Sequence, residues 1–174
     1  MTPADRIRNC EPSVVPPSQL PLPGAPPSGP SVWPEDLRED SWWPVSDQGR
    51  TGACVGFGVG DGLIRWHLVK KGRLAPEEAL SVRYFWMAAK EMDEYGDWPT
   101  TFLEEEGTSI WAALRMAMLY GCLLESELSL DGKLFQGSKD QFLNVASRRK
   151  ISKVHPLELD AKSWANWLRI HGPL

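Results

Sequence analysis

The sequence is poor in cysteine and has no hydrophobic run long enough to cross a membrane. Its three cysteines, Cys10, Cys54 and Cys122, form an odd and sparse set, which is more typical of a reducing compartment than of a disulfide framework. The N-terminus lacks the apolar core of a signal peptide, and no apolar stretch reaches the length of a transmembrane helix. We therefore predict a soluble, cytoplasmic protein that does not bind a membrane.

An excess of positive charge is also absent. The 19 Lys and Arg residues against 23 Asp and Glu give a formal net charge of −4, which is no electrostatic basis for nucleic-acid binding. The chain does have ample apolar material, since 42% of its 174 residues are hydrophobic, which is enough for a globular domain with a buried core. We predict no cofactor and no metal.

Proline is concentrated at one end of the chain. Ten of the fifteen prolines lie in residues 1–34, and because proline lacks a backbone donor and disfavours helix, this segment is predicted to be a flexible, extended arm. A leader peptide and a ligand for a proline-binding module are the alternatives. Residues 35–174 are predicted to form the folded domain.

The most informative stretch is Val45–Leu63, which reads VSDQGRTGACVGFGVGDGL. A turn-rich run precedes Cys54, and a helix is predicted from Ala53 to about Lys71, so this cysteine falls at the helix N-terminus. Unpaired backbone N–H groups and the positive end of the helix dipole favour a thiolate there, which is the nucleophilic form of cysteine. Gln48 lies upstream, and a loop that folds back would bring its amide to the sulfur, where an oxyanion forms.

This stretch resembles the nucleophile region of papain-like cysteine peptidases. The residues that match the family in type and spacing are Gln48, Gly49, Gly52, Ala53, Cys54 and Phe57. Two positions depart from the usual signature: Thr51 stands in place of a cysteine, which removes a neighbouring disulfide, and Val55 stands in place of an aromatic residue. The resemblance implies that Cys54 is the nucleophile and that Gln48 contributes to the oxyanion hole. The alternative is a buried structural cysteine on a core helix.

The resemblance also implies an α+β papain-like fold, of which this chain holds mainly the helical half, with the β-rich half largely missing. The apolar spacing predicts further helices at Ser81–Met92, Ile110–Tyr120, Lys139–Ser147 and Lys162–Ile170, and a strand at Lys150–Leu157. Ser109 is predicted to cap the third helix and Gly121 to end it. The family places a glycine before this helix to bind extended substrate, which implies that Gly107 and Thr108 contact the peptide.

The first helix has glycine at every second position. These residues are Gly56, Gly58, Gly60 and Gly62, and each costs about 1 kcal/mol relative to alanine in a helix interior. We predict that another backbone approaches the helix closely and offsets this cost. Nucleotide binding is the alternative, but the spacing fits neither GxGxxG nor a phosphate-binding P-loop.

A thiolate peptidase also needs a base, and the chain has three histidines. His67 lies on the same predicted helix as Cys54, roughly 20 Å along it at 1.5 Å per residue, which is too far to act as its base. His155, held extended by the following proline, and His171 remain as candidate replacements. By resemblance, the catalytic histidine and asparagine come later than Leu174, so neither role is assigned to a residue of this chain.

Three interpretations follow from the sequence. The first is the nucleophile-bearing half of a cysteine peptidase that hydrolyses peptide bonds and is incomplete or inactive as this chain alone. The second is a non-catalytic module, derived from a peptidase, that binds peptides or proteins. The third is an unrelated helical domain with a structural cysteine. A half-domain leaves apolar surface uncovered, so we also expect a partner chain or self-association.

Overall fold

The computed structural model describes residues 41–49, 51–89, 108–131 and 139–174. In chain order, the helical elements of these residues are a π-helical stretch Gly56–Ile64, α1 Arg65–Lys70, α2 Val82–Ala89, α3 Ile110–Leu119, α4 Lys139–Ala146, a 3₁₀ turn Ser147–Arg149 and α5 Ala161–His171. The proline-rich arm predicted for residues 1–34 lies outside the described residues.

A long helix, called the central helix below, spans residues 54–70 and confirms the helix predicted from Ala53 to Lys71. Its middle, Gly56–Ile64, is π-helical rather than α-helical. The wider hydrogen bonding is seen where the Arg65 N–H donates to the Gly60 carbonyl, five residues earlier. Helical spacing in the sequence did not predict this wider geometry. π-Helical turns are rare and occur frequently at functional sites.

Glycine allows α2 to approach the central helix closely. A Cβ atom at Gly56 would lie 2.5 Å from the carbonyl oxygen of Val82, and one at Gly60 would lie 2.5 Å from the ring of Phe85. Both distances are far below van der Waals contact, so only glycine fits at these two positions without a shift of α2. The predicted close approach is therefore confirmed, and the packing it permits offsets the low helix propensity of glycine.

Helix α2 forms the middle of the hydrophobic core. All eight of its residues are buried, because the central helix and α3 both pack against it. Tyr84 and Phe85 have no exposed surface, and burial of a side chain of this size contributes about 1.5–3 kcal/mol. The helix predicted at Ser81–Met92 is confirmed as far as Ala89, and its remaining residues lie outside the described part of the chain.

The ends of α3 are set by local chemistry that the sequence predicted. The Ser109 hydroxyl accepts a hydrogen bond from the Ala112 N–H at 3.1 Å, which satisfies a donor that the first helical turn leaves open. At the other end, Gly121 has a φ of 100° and lies against the Ala146 carbonyl, where a side chain does not fit. The cap and the stop are both confirmed.

Extended chain is present, but the described ranges contain no β-strand. An isolated antiparallel bridge joins Leu80 to Leu124. The strand predicted at Lys150–Leu157 is wrong: this segment is extended without a ladder, and the Ile151 N–H donates to the Ala117 carbonyl of α3 instead. The α+β class is consequently not confirmed, and the part of the fold that is described is mainly helical.

Helix α5 contacts the C-terminal end of the central helix. Asp160 caps it by accepting from the Ser163 N–H at 2.9 Å. Gly172, with a φ of 92°, ends it directly against the ring of Trp66. In the described part of the chain, no helix combines the length and the apolar character needed to cross a bilayer.

Candidate active site

The turn before the central helix folds back on itself. The Asp47 carboxylate accepts from the Gly49 N–H at 2.9 Å, and Gly49 has a φ of 61°, a conformation that glycine adopts without strain. The Gln48 carbonyl then accepts from both the backbone N–H and the hydroxyl of Thr51, at 3.3 and 2.9 Å. These bonds reverse the chain between Gln48 and the helix that begins at Cys54.

The Gln48 side chain is half-buried and directed into this turn. Its Nε2 atom donates to the Thr51 carbonyl at 2.5 Å. An amide nitrogen carries two hydrogens, so this bond orients the side chain and leaves the second hydrogen for another acceptor. Thr51, which departs from the family signature, therefore helps to hold the residue that the resemblance places in the oxyanion hole.

Cys54 is the first residue of the central helix. The first intrahelical hydrogen bond runs from the Phe57 N–H to the Ala53 carbonyl at 3.0 Å, so the Cys54 N–H belongs to the group that a helix leaves without an intrahelical acceptor. Its thiol is free and half-buried, and it packs against the edge of the core. The predicted helix N-terminus is therefore confirmed at this residue, whereas the approach of the Gln48 amide to its sulfur stays a prediction.

The other described cysteine is in a different environment. Cys122 is fully buried beneath α3 and α4, and burial raises the pKa of its thiol to about 12, outweighing the opposing effect of Arg149. A thiol in this setting stays protonated and unreactive at neutral pH. This environment does not suit Cys122 as a nucleophile, and Cys54 remains the candidate among the described cysteines.

Of the two residues predicted to contact substrate, the structure describes one. Thr108 lies immediately before the Ser109 cap of α3 and is 1% exposed, whereas Gly107 lies outside the described residues. This exposure counts the whole residue, so the backbone of Thr108 is buried together with its side chain. Its contact with substrate stays a prediction.

The three histidines gather at the C-terminal end of the central helix. The Nε2 atom of His67 lies 3.1 Å from the Pro173 carbonyl. The His155 ring lies 5.5 Å from that of Trp167, which in turn lies 4.4 Å from the ring of His171. Burial is the main cause that lowers the pKa of both His67 and His171, so the neutral form of these two imidazoles is favoured.

This position separates every histidine of the chain from Cys54. His67 is thirteen residues further along the same helix, which corresponds to roughly 20 Å at α-helical rise. Since His171 and His155 cluster with His67, the structure does not bring either of the candidate replacement bases to the sulfur. Among the described residues, no group of three or more His, Cys, Asp or Glu side chains is arranged to hold a metal ion.

An ion pair on the central helix was missed by the sequence reasoning. Asp61 and Arg65 are almost fully buried, and their charged groups lie 2.9 Å apart. Opposite charges four residues apart on one helix are a recognisable signal. They stand out here because the rest of the predicted helix, before its basic end, is apolar or glycine.

The fold is similar to that of a known cysteine protease. Xylellain, a cysteine protease from Xylella fastidiosa, matches 94% of this chain with a TM-score of 0.64 and 15% sequence identity, and the chain spans 63% of the length of that structure. At this identity the likeness concerns the fold alone, and it supports a papain-like fold. No family model matches the sequence, and no curated protein matches it significantly.

Proposed function

We propose that this chain carries the nucleophile of a papain-like cysteine peptidase. The Cys54 thiolate attacks a peptide carbonyl, and the Gln48 amide together with the Cys54 backbone N–H stabilises the oxyanion. One observation carries the proposal: Cys54 is the first residue of the central helix in a chain whose fold is similar to that of a cysteine protease.

The turn and the start of α3 support the remaining roles. The chain reverses between Gln48 and Thr51, and in this proposal the reversal brings the Gln48 amide to the N-terminus of the central helix. In this proposal the substrate backbone runs past Gly107 and Thr108, ahead of the capped start of α3.

The base has to come from elsewhere, because the chain's histidines lie at the other end of the central helix. A thiol peptidase needs an acid to protonate the leaving amine and a base to activate water for deacylation. In this proposal a second polypeptide, or residues outside this sequence, supplies that group. The chain alone then forms an acyl-enzyme only with substrates whose leaving group needs no proton.

Apolar side chains on the surface support a protein partner or self-association. Val45 is 96% exposed and Leu159 is 94% exposed, and Trp164 and Leu174 also retain much of their surface. Single exposed apolar residues are normal, but several of them leave area that a partner can cover. Sedimentation of the purified chain across a range of concentrations tests self-association.

A non-catalytic module that binds peptides or proteins is the second candidate. It is favoured by the internal hydrogen bond of the Gln48 amide to Thr51 and by the distance of all three histidines from Cys54. In that case the cleft holds a peptide without reaction at the sulfur.

A p-nitrophenyl ester of a short peptide separates these two functions, because nitrophenolate leaves without protonation. We expect a burst of about one equivalent of nitrophenolate, with the acyl group attached to Cys54 by mass spectrometry and slow turnover afterwards. Cys54→Ala should abolish the burst, whereas Cys122→Ala should keep it because that thiol is buried.

Three results contradict the peptidase proposal. They are a burst that survives Cys54→Ala, acylation of the folded chain no faster than that of the urea-unfolded chain, and bound peptide with no acylation. The last of these identifies the binding module instead.

A further inference from the structure

The Asp61–Arg65 pair is costly to bury, and its contacts indicate why it is present. Both residues are less than a tenth exposed, and the desolvation of two charges often cancels their mutual attraction, so such a pair is weak evidence for stability. The Asp61 carboxylate nevertheless accepts one further hydrogen bond and the Arg65 guanidinium donates three, and one bond from each group involves the same segment of the chain.

That segment consists of residues 42–46, which run alongside the central helix. The Trp43 indole N–H donates to the Asp61 carbonyl at 3.0 Å, and the Ser46 hydroxyl donates to the Asp61 carboxylate at 2.6 Å. Arg65 donates to the Trp42 carbonyl at 3.2 Å. Three bonds from one segment therefore reach the same pair of residues, one turn apart on the helix.

The guanidinium group of Arg65 is fixed on its other side as well. It donates to the Glu78 carbonyl at 2.9 Å and to the Pro76 carbonyl at 3.2 Å, both in the loop that follows α1. The ion pair with Asp61 uses a further nitrogen. The planar guanidinium group has five N–H donors in a fixed geometry, which suits several simultaneous hydrogen bonds. These bonds restrain Arg65, so the Asp61–Arg65 pair can act as a rigid support for residues 42–46.

The supported segment leads directly into the turn of the candidate active site. Ser46 precedes Gln48 by two residues, and two residues of extended chain span only about 7 Å. Between them, Asp47 already accepts from Gly49. The Gln48 side chain is held by Thr51 on its C-terminal side, and the chain two residues before it is tied to Asp61 through Ser46.

We propose that Asp61 and Arg65 are positioning residues, which hold residues 42–46 against the central helix and thereby keep the Gln48 amide over the Cys54 thiol. The inference rests on the proposed function and adds to it two residues outside the reacting groups. It also gives Ser46 a role, as the side chain that connects the lead-in segment to the Asp61 carboxylate.

The test compares variants of this connection by two measurements on the full chain. These are hydrogen exchange of the amides in residues 42–49 and the rate of Cys54 acylation by the nitrophenyl ester. For Asp61→Asn we expect exchange about tenfold faster in this segment and acylation about tenfold slower. For Ser46→Ala we expect changes of about threefold in both, with Ser46→Thr restoring them because it keeps the hydroxyl.

Glu127→Gln is the matched control. Glu127 pairs with Arg149 at 3.0 Å and takes no part in the hydrogen bonds that join the Asp61–Arg65 pair to residues 42–46. If the Asp61–Arg65 pair only stabilises the fold, Asp61→Asn lowers the urea midpoint as Glu127→Gln does. Hydrogen exchange in residues 42–49 and the acylation rate of Cys54 then stay at the values of the control variant. That result overturns the inference. Ser46 is exposed, so its variants decide the question even if Asp61→Asn fails to fold.

The two proposals fail in different ways. If Cys54 of the unmodified chain is not acylated, the proposed function is wrong whatever the exchange shows. If Cys54 reacts but Ser46→Ala and Asp61→Asn leave its rate and the exchange of residues 42–49 unchanged, only the positioning role is wrong.

Discussion

The two ends of the central helix carry different chemistry. At its N-terminal end, a half-buried thiol lies beside a turn fixed by hydrogen bonds. At its C-terminal end, His67 and Trp66 contact Pro173 and Gly172, the residues that follow α5. One continuous helix thus places Cys54 and the chain's histidines at opposite ends. A sequence that contains both a candidate nucleophile and several histidines does not, for that reason alone, contain a catalytic pair.

The largest loss of stability should follow from an added methyl group on the central helix, two residues after Cys54. Gly56→Ala places a Cβ atom against the Val82 carbonyl, which is backbone and cannot rotate away, so we expect a loss of about 3 kcal/mol in the free energy of unfolding. Urea denaturation measures it.

Gly58→Ala is the matched control for this variant. A Cβ atom at Gly58 has nothing within 4 Å, so the gain in helix propensity should raise the free energy of unfolding by up to about 1 kcal/mol. Equal losses for both variants would show that close packing of α2 does not determine these positions.

A substitution near the C-terminal end of the central helix should lower the free energy of unfolding less and should leave the reactivity of the Cys54 thiol unchanged. Gly172→Ala puts a side chain into a positive-φ conformation and against the Trp66 ring, for which we expect a loss of about 2 kcal/mol. Hydrogen exchange should show the loss in α5, while the Cys54 acylation rate stays within about twofold of the original. A large drop in acylation would mean that the two ends are coupled.

The smallest effect is a change in how stability depends on pH. Burial lowers the pKa of His67 below its ordinary value of 6.5, so the unfolded chain binds more protons in that range. The contribution of His67 is complete above pH 6.5 and is lost as pH falls through the folded-state pKa. His67→Gln, whose amide can still donate to Pro173, should reduce this slope in urea titrations.

Glu125 has the opposite effect on the pH dependence of stability. The slope must therefore be compared between the original chain and His67→Gln. Burial raises the pKa of Glu125, so the folded chain binds more protons there and gains stability as pH falls. Subtracting the curve of His67→Gln from that of the original chain removes this contribution. An unchanged slope would indicate that His67 is as accessible to protons in the folded state as in the unfolded state.

Local features of the fold could be predicted from the sequence, because they depend on neighbouring residues. The start of the central helix, the Ser109 cap and the Gly121 stop all follow from side chains within one turn of the position they affect. The fold class was harder, since the strand expected at Lys150–Leu157 depended on a ladder partner that no local pattern specifies.

Contacts between distant residues could not be predicted in the same way. The Asp61–Arg65 spacing was visible, but its function depends on hydrogen bonds to Trp42, Trp43 and Ser46, fifteen or more residues away in the chain. The gathering of the histidines depends on how α5 packs. The predicted role of Gln48 remains a prediction, because acylation chemistry rather than packing will decide it.

The contacts at Gly56 and Gly60 have a mechanical consequence. These glycines lie about one turn apart on the central helix, and α2 packs against them with Val82 and Phe85, respectively. Because of these two close contacts, the central helix can neither shift along its axis nor rotate about it without a steric clash with α2. The position of Cys54 relative to α2 therefore depends on the backbone of Val82 and the ring of Phe85, neither of which takes part in the proposed chemistry.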